Sequence, residues 1–254
     1  MYIHDLDPIA LEIFGIRIYW YSLAYFFGFL FSISYSKFLI KKKNSIFVAS
    51  DIDDFVTWAV IGVIIGGRIG YVLFYNLDYY FSNLSEILKI WKGGMSFHGG
   101  MTGLVIAMFL FSRNKKKPFI EFANIIASGA PIGIFLGRIA NFINGELWGK
   151  KTNSNFGVIF DQESMEARHP SQLYEAFFEG LILFIILFFV ITNNKLKKIN
   201  ACSVFLIFYG IFRFSIENFR EPDLNLGYII FNLSMGQILS IPMIFIGLIL
   251  IKHR

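Results

Sequence analysis

The chain has 254 residues, of which 56% are hydrophobic, and a formal net charge of +5. Its mean hydropathy of +0.59 excludes a soluble domain, because a folded sphere could not hide that much apolar surface from water. The single cysteine, Cys202, excludes an internal disulfide, and the four histidines lack the spacing of metal ligands. The composition therefore indicates a membrane protein, and we expect neither a metal nor a cofactor.

Seven apolar runs are long enough to cross a bilayer, which takes roughly 20 residues per helix. They lie at 17–40, 55–76, 95–112, 119–142, 171–192, 201–218 and 232–251. The first twenty residues carry three acidic groups and one cation, so they lack the cationic start of a cleavable signal and the first run should be retained. The sequence predicts an all-α polytopic membrane protein, a single seven-helix transmembrane domain over residues 1–254.

Clusters of lysine and arginine orient the predicted spans. The clusters follow spans one, three, five and seven, and they are Lys41–Lys43, Arg113 with Lys115–Lys117, Lys195 with Lys197 and Lys198, and Lys252 with Arg254. Because cations favour the cytoplasmic ends of spans, the N-terminus is predicted outside and the C-terminus in the cytoplasm. The positive charge is thus typical of topology signals, and we expect no nucleic-acid partner.

The outer segment between spans two and three predicts a short interfacial helix. Leu84, Ile87, Leu88 and Trp91 recur at helical spacing, with charged residues on the other faces. An ordinary surface helix would show the same pattern. Inside spans two and four, glycines recur every fourth residue, which would let neighbouring helices approach closely.

Three arginines fall within the predicted spans, and the topology places all of them in the outer half of the membrane. They are Arg68, Arg138 and Arg213. Arginine is costly in a bilayer and usually faces a polar interior or marks a site. Alternatively, these side chains snorkel to headgroups or pair with Glu146 or Glu217, the latter one helical turn after Arg213. Three arginines on one side favour an anionic ligand.

His98 lies in a glycine-rich segment at the outward start of span three. The glycines would let a ligand approach the ring closely, and the positive end of the helix favours a neutral imidazole that can accept a proton. The position therefore predicts a general base, although a lone histidine at a helix end is more often an interface residue. Tyr21 and Tyr209 could hydrogen-bond a phosphate, or they are ordinary interface and core aromatics.

Two further polar segments flank spans five and six. Residues 169–175 open span five, where proline and polar side chains would cap the helix. Within this segment Gln172 and Glu175 lie one turn apart and could face the same cavity. Residues 220–223, with the sequence Arg-Glu-Pro-Asp, predict an ion-paired turn after span six.

The most distinctive stretch is GRIANFINGELWG, residues 137–149. It is joined in order by Trp20-Tyr21, Gly67-Arg68, His98-Gly99-Gly100, the segment 169–175, and a run from Tyr209 through Arg213 and Glu217 to Asp223. In this combination the sequence resembles the bacterial prolipoprotein diacylglyceryl transferases over nearly the whole chain.

The resemblance implies the first step of bacterial lipoprotein maturation. In that reaction the diacylglyceryl group of phosphatidylglycerol is transferred to the thiol of the lipobox cysteine of a prolipoprotein, and glycerol phosphate is released. The expected partners are phosphatidylglycerol, prolipoprotein signal peptides with a lipobox cysteine and the lipid bilayer. The expected location is the bacterial cytoplasmic (inner) membrane, with the active site towards the outer face. The nucleophile comes from the substrate, so Cys202 is expected to be a small buried residue.

The resemblance also implies roles for the polar residues of the catalytic step. Arg138 and Arg213 would bind the phosphate and stabilise the leaving group, since planar donors suit phosphate oxygens. His98 would take the thiol proton, because a thiolate and not a thiol attacks carbon.

A wider set is expected to bind or position the substrate. Its members are Arg138, Tyr21, Arg68, Asn141, Asn144, Glu146, Tyr209 and Glu217. Asn141 and Asn144 would orient phosphatidylglycerol or shape the loop, Glu146 and Glu217 would hold the arginines, and Tyr21 would donate to the headgroup.

A lipid or anion transporter is the competing class, because intramembrane arginines also line substrate paths. Transporters of that kind commonly contain internal repeats, and we find no convincing repeat here. The charged groups also cluster on the predicted outer side without continuing to the cytoplasm. A structural or receptor-like seven-helix protein would leave the arginines and His98 unexplained. Covalent product formation separates the transferase from both alternatives.

Overall fold

The computed structural model describes residues 2–75, 77–160, 164–196, 198–222 and 227–252. Three residues of the sequence-based predictions, Lys197, Asp223 and Arg254, lie outside this described part. The chain divides into two units, Met1–Ser36 with Asn124–Arg254, and Lys37–Ala123. The single domain over residues 1–254 stays a prediction.

Helices occupy all seven of the predicted apolar runs. They are α1 (Trp20–Lys43), α2 (Ala49–Tyr75), α3 (Leu77–Ser82), α4 (Phe97–Asn114), α5 (Phe119–Ile143), α6 (Ser171–Glu175), α7 (Leu183–Thr192), α8 (Ala201–Ile216) and α9 (Met235–Lys252). A π-helical segment, Ala176–Ile182, joins α6 to α7, so that the helix runs from residue 171 to 192.

Four helices of the described chain are long and apolar enough to cross a membrane: Trp20–Lys43, Ala49–Phe74, Phe119–Ile143 and Ser171–Thr192. Ala201–Ile216 and Met235–Ile251 are shorter apolar helices. A helical membrane protein is therefore confirmed, whereas the count of seven spans and their orientation stay predictions.

Short strands add to the all-α architecture that the sequence predicts. They are β1 (Tyr2–Ile3), β2 (Ile9–Ile13), β3 (Ile16–Tyr19), β4 (Val158–Ile159), β5 (Ala167–Arg168), β6 (Tyr228–Ile230) and β7 (Leu233–Ser234). β2 pairs antiparallel with β3 around a turn in which Phe14 and Gly15 have φ of 51° and 78°. The predicted start of the first span at residue 17 is therefore wrong: alternation and a glycine turn make a hairpin, and α1 begins at Trp20.

A small sheet in the first unit ties the amino terminus to the segment after α5. β1 pairs parallel with β4, with Tyr2 opposite Val158, and β4 pairs antiparallel with β5. His4 follows β1 directly and is buried, and its Nε2 lies 2.7 Å from the carbonyl oxygen of Phe142 near the end of α5. The amino-terminal strand thereby supports the last turn of this helix.

Close helix packing holds the second unit together. A Cβ atom added at Gly66 of α2 would meet the carbonyl oxygen of Gly99 in α4, and one added at Gly62 would lie 2.7 Å from the carbonyl oxygen of Gly103. The backbones of α2 and α4 therefore touch directly, as the glycine spacing predicts. At the other end of this pair, Asp51 lies 2.5 Å from Lys117 Nζ and 3.1 Å from Lys115 Nζ.

The predicted interfacial helix is a pair of 3₁₀ segments, Leu84–Leu88 and Ile90–Lys92. Arg68 explains why an α-helix does not form there. Its guanidinium donates to the carbonyl oxygens of Glu86, Ile87 and Lys89, which are the acceptors that an α-helix would use internally. The predicted short helix is therefore present in 3₁₀ form, whereas its interfacial position stays a prediction.

Candidate active site

The stretch 137–149 is the carboxyl-terminal end of α5 and the loop that follows it. Asn141 Nδ2 donates to Glu146 Oε1 over 2.8 Å, and Glu146 N donates back to the carbonyl oxygen of Asn141 over 3.1 Å. Asn144 Nδ2 lies 3.3 Å from the same Glu146 oxygen. Gly145 and Leu147 have φ of 66° and 59°, which turn the chain sharply. These side chains close the loop on itself, one of the two roles predicted for the asparagines.

The segment 169–175 holds this loop from the other side. Gln172 Nε2 donates to the carbonyl oxygen of Glu146 over 2.6 Å, and Ser171 Oγ donates to that of Leu147 over 3.1 Å. Both donors are buried. The polar start of α6 therefore positions the loop, in addition to opening a helix.

Three arginines converge on one carboxylate, Glu175, which is fully buried (0% exposed). Arg138 Nε lies 2.6 Å and Arg213 Nη1 3.1 Å from Glu175 Oε2, while Arg220 Nη1 donates to Oε1 over 3.0 Å. Such a cluster is stable in an apolar surrounding only when the charges compensate each other at close range. Glu175 thus brings together Arg138 and Arg213, the two arginines predicted to bind phosphate.

Two more carboxylates complete the cluster around Arg213. Glu217 Oε2 lies 3.0 Å from Arg213 Nη2, the pairing one turn apart that the sequence predicts. Glu179 Oε1 lies 3.7 Å from Arg213 Nη1. We call the arginines 138, 213 and 220 with the glutamates 175, 179 and 217 the arginine–glutamate cluster; it has three positive and three negative groups.

Glu146 is not the carboxylate that pairs with Arg138. The ion pair of Arg138 in the described chain is with Glu175, and Glu146 accepts hydrogen bonds from the asparagine side chains instead. The sequence offered Glu146 and Glu217 as carboxylates that hold the arginines; of these two, Glu217 contacts Arg213, and Glu146 closes the loop after α5 on Asn141.

The arginines of the cluster differ in exposure. The side chains of Arg138, Arg213 and Arg220 are 20%, 14% and 9% exposed. Within the described residues, the contact of Arg138 is made through Nε, which leaves the two terminal nitrogens that bind phosphate oxygens in bidentate fashion. Arg138 is therefore the arginine of the cluster best placed to receive an anionic ligand.

Tyrosines lie beside the cluster. The hydroxyl groups of Tyr21 and Tyr25 are 3.2 Å apart, and Tyr25 is close enough to Arg138 to interact with its charge. Tyr209 lies one turn before Arg213 on α8 and stacks on Phe205, with ring centroids 5.5 Å apart. The predicted donors Tyr21 and Tyr209 thus belong to the same unit as the arginines.

A polar cavity of about 470 Å³ adjoins the cluster at Glu217. Its walls are formed by Lys150, Glu217, Asn218, Tyr228, Asn232, Leu233 and Gln237. The backbone of α9 comes close to Glu217, since a Cβ atom at Gly236 would lie 2.7 Å from its carboxyl group. The cavity therefore offers polar groups for a small hydrophilic moiety next to Arg213.

His98 belongs to the second unit, where it is exposed in the first turn of α4. Ser96 caps this helix by accepting a hydrogen bond from Gly99 N over 3.2 Å. Beside the ring, a groove of about 730 Å³ with apolar walls and a glycine floor runs between α2 and α4. The imidazole is therefore accessible from the groove.

Arg68, also in the second unit, has a different environment from that expected of a ligand-binding arginine. It is 4% exposed, and its five N–H groups donate to five carbonyl oxygens of the segment 86–94. The distances are 2.8 Å to Ile87, 2.6 Å to Gly93, 3.0 Å to Gly94, 2.7 Å to Glu86 and 3.4 Å to Lys89. With these donors in use, Arg68 holds the loop in the described conformation, and its substrate contact stays a prediction.

Glu86 adds two ion pairs to the same loop. Lys89 Nζ and Lys92 Nζ lie 2.6 and 2.7 Å from its two carboxyl oxygens. The hydrogen bond from Lys89, followed by that from Lys92, lowers the pKa of Glu86 to about 2. The carboxylate is therefore charged at neutral pH and fixes the 3₁₀ segments.

The sequence did not identify Glu175, Glu179, Arg220 or Tyr25 as site residues. Glu175 was marked as a residue that could face a cavity, and Arg220 as part of a turn. Glu179 lies one turn after Glu175 within an apolar span, and a carboxylate at such a position is itself a signal of function. Tyr25 carried no signal, because it is one aromatic residue among many in α1.

The comparisons with known proteins agree with the motif. The family model described as prolipoprotein diacylglyceryl transferase matches residues 8–253. A Rickettsia felis protein named phosphatidylglycerol–prolipoprotein diacylglyceryl transferase is 52% identical over 249 residues, 97% of this chain and 96% of that protein. Proteins of the same name from Rickettsia canadensis and Rickettsia bellii are 51% identical over 245 residues (96% and 95%) and 50% over 249 residues (97% and 95%).

These matches extend well beyond the residues of the motif and cover nearly the full length of the chain. They confirm the resemblance that the stretch 137–149 and its accompanying segments indicate. The chain therefore belongs to the prolipoprotein diacylglyceryl transferase family.

Proposed function

We propose that this transferase moves the diacylglyceryl group of phosphatidylglycerol to the thiol of a prolipoprotein lipobox cysteine, and that the arginine–glutamate cluster binds the lipid phosphate. The observation that carries the proposal is the convergence of Arg138, Arg213 and Arg220 on the buried Glu175. Guanidinium groups held by a buried carboxylate present preorganised donors for a phosphate.

The chemistry requires stabilisation of negative charge on the leaving group. The thiol sulfur attacks the glyceryl carbon, the new C–S bond forms, and the C–O bond to phosphate breaks with its electron pair passing to the phosphate oxygen. The phosphodiester, with one negative charge, becomes a monoester with a second. Arg138 and Arg213 act where this charge develops, so they lower the barrier and do more than bind substrate.

The surrounding residues fix the geometry of this step. Glu175 orients Arg138 and Arg213, and Glu217 orients the second terminal nitrogen of Arg213. Asn141, Asn144 and Glu146 hold the end of α5, which carries Arg138. The polar cavity beside Glu217 is suited to the glycerol headgroup. Tyr21 and Tyr209 keep in this proposal the role of hydrogen-bond donors to the lipid.

His98 keeps in this proposal the role of proton acceptor for the thiol. Its support is an exposed ring in the first turn of α4 next to glycines, which allows close approach. Replacement of His98 by glutamine should slow transfer at neutral pH, and the difference from wild type should shrink at alkaline pH, where the thiol ionises without a base. Undiminished activity of His98→Gln would remove this assignment.

The membrane arrangement is part of the proposal. The protein has seven spans in a single domain, and helices at all seven apolar runs support this count. Its N-terminus lies outside, its C-terminus lies in the cytoplasm, and its active site lies towards the outer face of the inner membrane. Lys41–Lys43 form the last turn of α1, and Lys115–Lys117 follow α4. Labelling of single cysteines from one side of oriented vesicles tests this topology.

The function is tested by thiol transfer from phosphatidylglycerol to a lipobox peptide in liposomes. The mass of the peptide reports the thioether product. Arg138→Ala should reduce the rate by about 10²- to 10³-fold, the effect of losing one donor to a developing charge. Arg17→Ala is the matched control, since Arg17 lies in the hairpin with its side chain 60% exposed. Equal rates for wild type and Arg138→Ala would contradict the proposal.

A further inference from the structure

Glu179 is the carboxylate of the cluster with the weakest contacts. It is 0% exposed, and its ion contact to Arg213 measures 3.7 Å, beyond hydrogen-bonding distance. Among the described residues, neither of its oxygens has a hydrogen-bond partner. A buried carboxylate normally receives several hydrogen bonds or a close cation, so this position differs from an ordinary structural ion pair.

The other two carboxylates of the cluster have closer ion contacts, although Glu175 Oε2 and Glu217 Oε2 also lack a hydrogen-bond partner among the described residues. Glu175 receives three arginines, the longest contact being 3.1 Å, and Glu217 receives Arg213 Nη2 at 3.0 Å. Protonation of Glu179 would therefore disturb fewer existing contacts than protonation of Glu175 or Glu217.

With all three glutamates ionised, the three arginines and three glutamates of the cluster balance each other before lipid binds. A phosphodiester adds one negative charge. In a water-poor site an uncompensated charge is costly, and it is compensated most simply by one proton. Five titratable or charged groups face Glu179. Glu175 lies one turn earlier on the same continuous helix, and Arg138 lies on α5. Tyr209 and Arg213 lie on α8, and Glu217 directly follows α8.

We propose that Glu179 takes up one proton when the phosphate of the lipid binds Arg213, and thereby releases this arginine for the phosphate. This inference rests on the proposed function, because it requires the lipid phosphate to bind at the cluster. Since Glu179 is buried behind Arg213, it acts through the arginine and is a positioning residue. The proton is supplied by the solvent and returns there when the anionic product leaves, so no other reactant is needed.

The proposal has a thermodynamic signature. Binding that takes up one proton weakens as the pH rises, with the dissociation constant increasing about tenfold per pH unit where Glu179 is otherwise charged. A side chain that is always neutral at this position has no proton to take up. Glu179→Gln should therefore bind the lipid with a dissociation constant independent of pH, and more tightly than wild type at high pH.

The test is calorimetric titration of the full chain in detergent micelles with a short-chain phosphatidylglycerol, without a thiol acceptor. Titrations in two buffers of different ionisation enthalpy give the number of protons taken up per lipid. We expect about one for wild type and about zero for Glu179→Gln. Glu166→Gln is the matched control, because Glu166 is a partly exposed carboxylate paired with Lys151 at 2.5 Å, and it should behave as wild type. Equal proton uptake in wild type and Glu179→Gln, or none in wild type, would overturn the inference.

A second measurement needs no variant and covers the case in which Glu179→Gln does not fold. With ¹³C-carboxyl glutamate in the wild-type chain, lipid addition should produce the infrared band of a protonated glutamic acid; its absence would overturn the inference. Arg213→Ala separates the two proposals. If the lipid binds Arg213→Ala as it binds wild type, the proposed function fails; if binding requires Arg213 but takes up no proton, only the role of Glu179 fails.

Discussion

Arg68 and Arg138 are both arginines within apolar helices, and the chain uses them in opposite ways. Arg68 donates to five backbone carbonyl oxygens of one loop, whereas Arg138 shares a single carboxylate with two other arginines. Carbonyl oxygens accept hydrogen bonds from all the N–H groups of a guanidinium but carry no negative charge to neutralise it. A shared carboxylate opposes the charge and leaves donors for a ligand. The partner of an arginine in an apolar helix thus distinguishes the loop-holding role of Arg68 from the binding role that we propose for Arg138.

Removal of Glu175 should have the largest effect, because it breaks the arrangement that defines the binding arginines. Glu175→Ala leaves three guanidinium groups around an apolar side chain. We expect a loss of about 3–5 kcal/mol of stability, the usual cost of leaving buried charge without its partner, together with loss of transfer. Unfolding in detergent and the liposome assay measure the two effects. A stable, active Glu175→Ala protein would show that the convergence on Glu175 is incidental.

Replacement of Arg68 by lysine should affect the loop and leave the chemistry largely intact. Lysine has three donors on a point charge and cannot make the five bonds of the guanidinium. Loss of two charged hydrogen bonds at about 1.5 kcal/mol each should free the segment 86–94 to proteolysis. Arg138→Lys is the matched comparison and should abolish transfer with the loop intact. If Arg68→Lys lost transfer without any change in proteolysis, Arg68 would belong with the ligand-binding arginines.

The helix that carries Arg68, α2, packs against α4 through direct backbone contact. Adding a single methyl group at this contact tests how much it contributes to stability. Gly66→Ala places a carbon against the carbonyl oxygen of Gly99. We expect a cost of about 1–3 kcal/mol, typical of overpacking. Gly133→Ala is the control, since a Cβ atom there meets nothing within 4 Å. Melting temperatures of the two variants should differ clearly, and equal values would show that α2 and α4 separate at little cost.

The smallest effect on stability is expected from lowering the pH, which protonates Glu86 in the loop that Arg68 binds. Because the folded pKa of Glu86 is lowered to about 2 from an ordinary 4.5, its ion pairs stabilise the folded loop above pH 4.5. That contribution is lost as the pH falls towards 2. The difference in melting temperature between wild type and Glu86→Gln should therefore be constant above pH 5 and vanish in strong acid. A difference that grows on acidification would contradict the sign of this linkage.

Local features of the fold were accessible from the sequence. The apolar runs predicted the helices, and the spacing of four residues predicted the pair Arg213–Glu217. The glycine spacing predicted that another helix approaches α2 closely, and the structure identifies that helix as α4. The motif at 137–149 gave the family.

Other features depend on contacts between distant parts of the chain. Glu175 and Arg220 are 45 residues apart, and no periodicity relates them. The 3₁₀ form of the outer segment depends on Arg68, some twenty residues earlier in the chain. The partners of a buried charge are chosen by tertiary packing, so the sequence located the arginines and could not say which carboxylate holds each one.

A structure of the chain with phosphatidylglycerol bound would show whether Arg138 and Arg213 hold the phosphate of the transferred lipid. We expect phosphate oxygens within hydrogen-bonding distance of the terminal nitrogens of both arginines, with Glu175 still in contact with Arg138. A phosphate bound elsewhere, with both guanidinium groups engaged only by glutamates, would contradict this expectation.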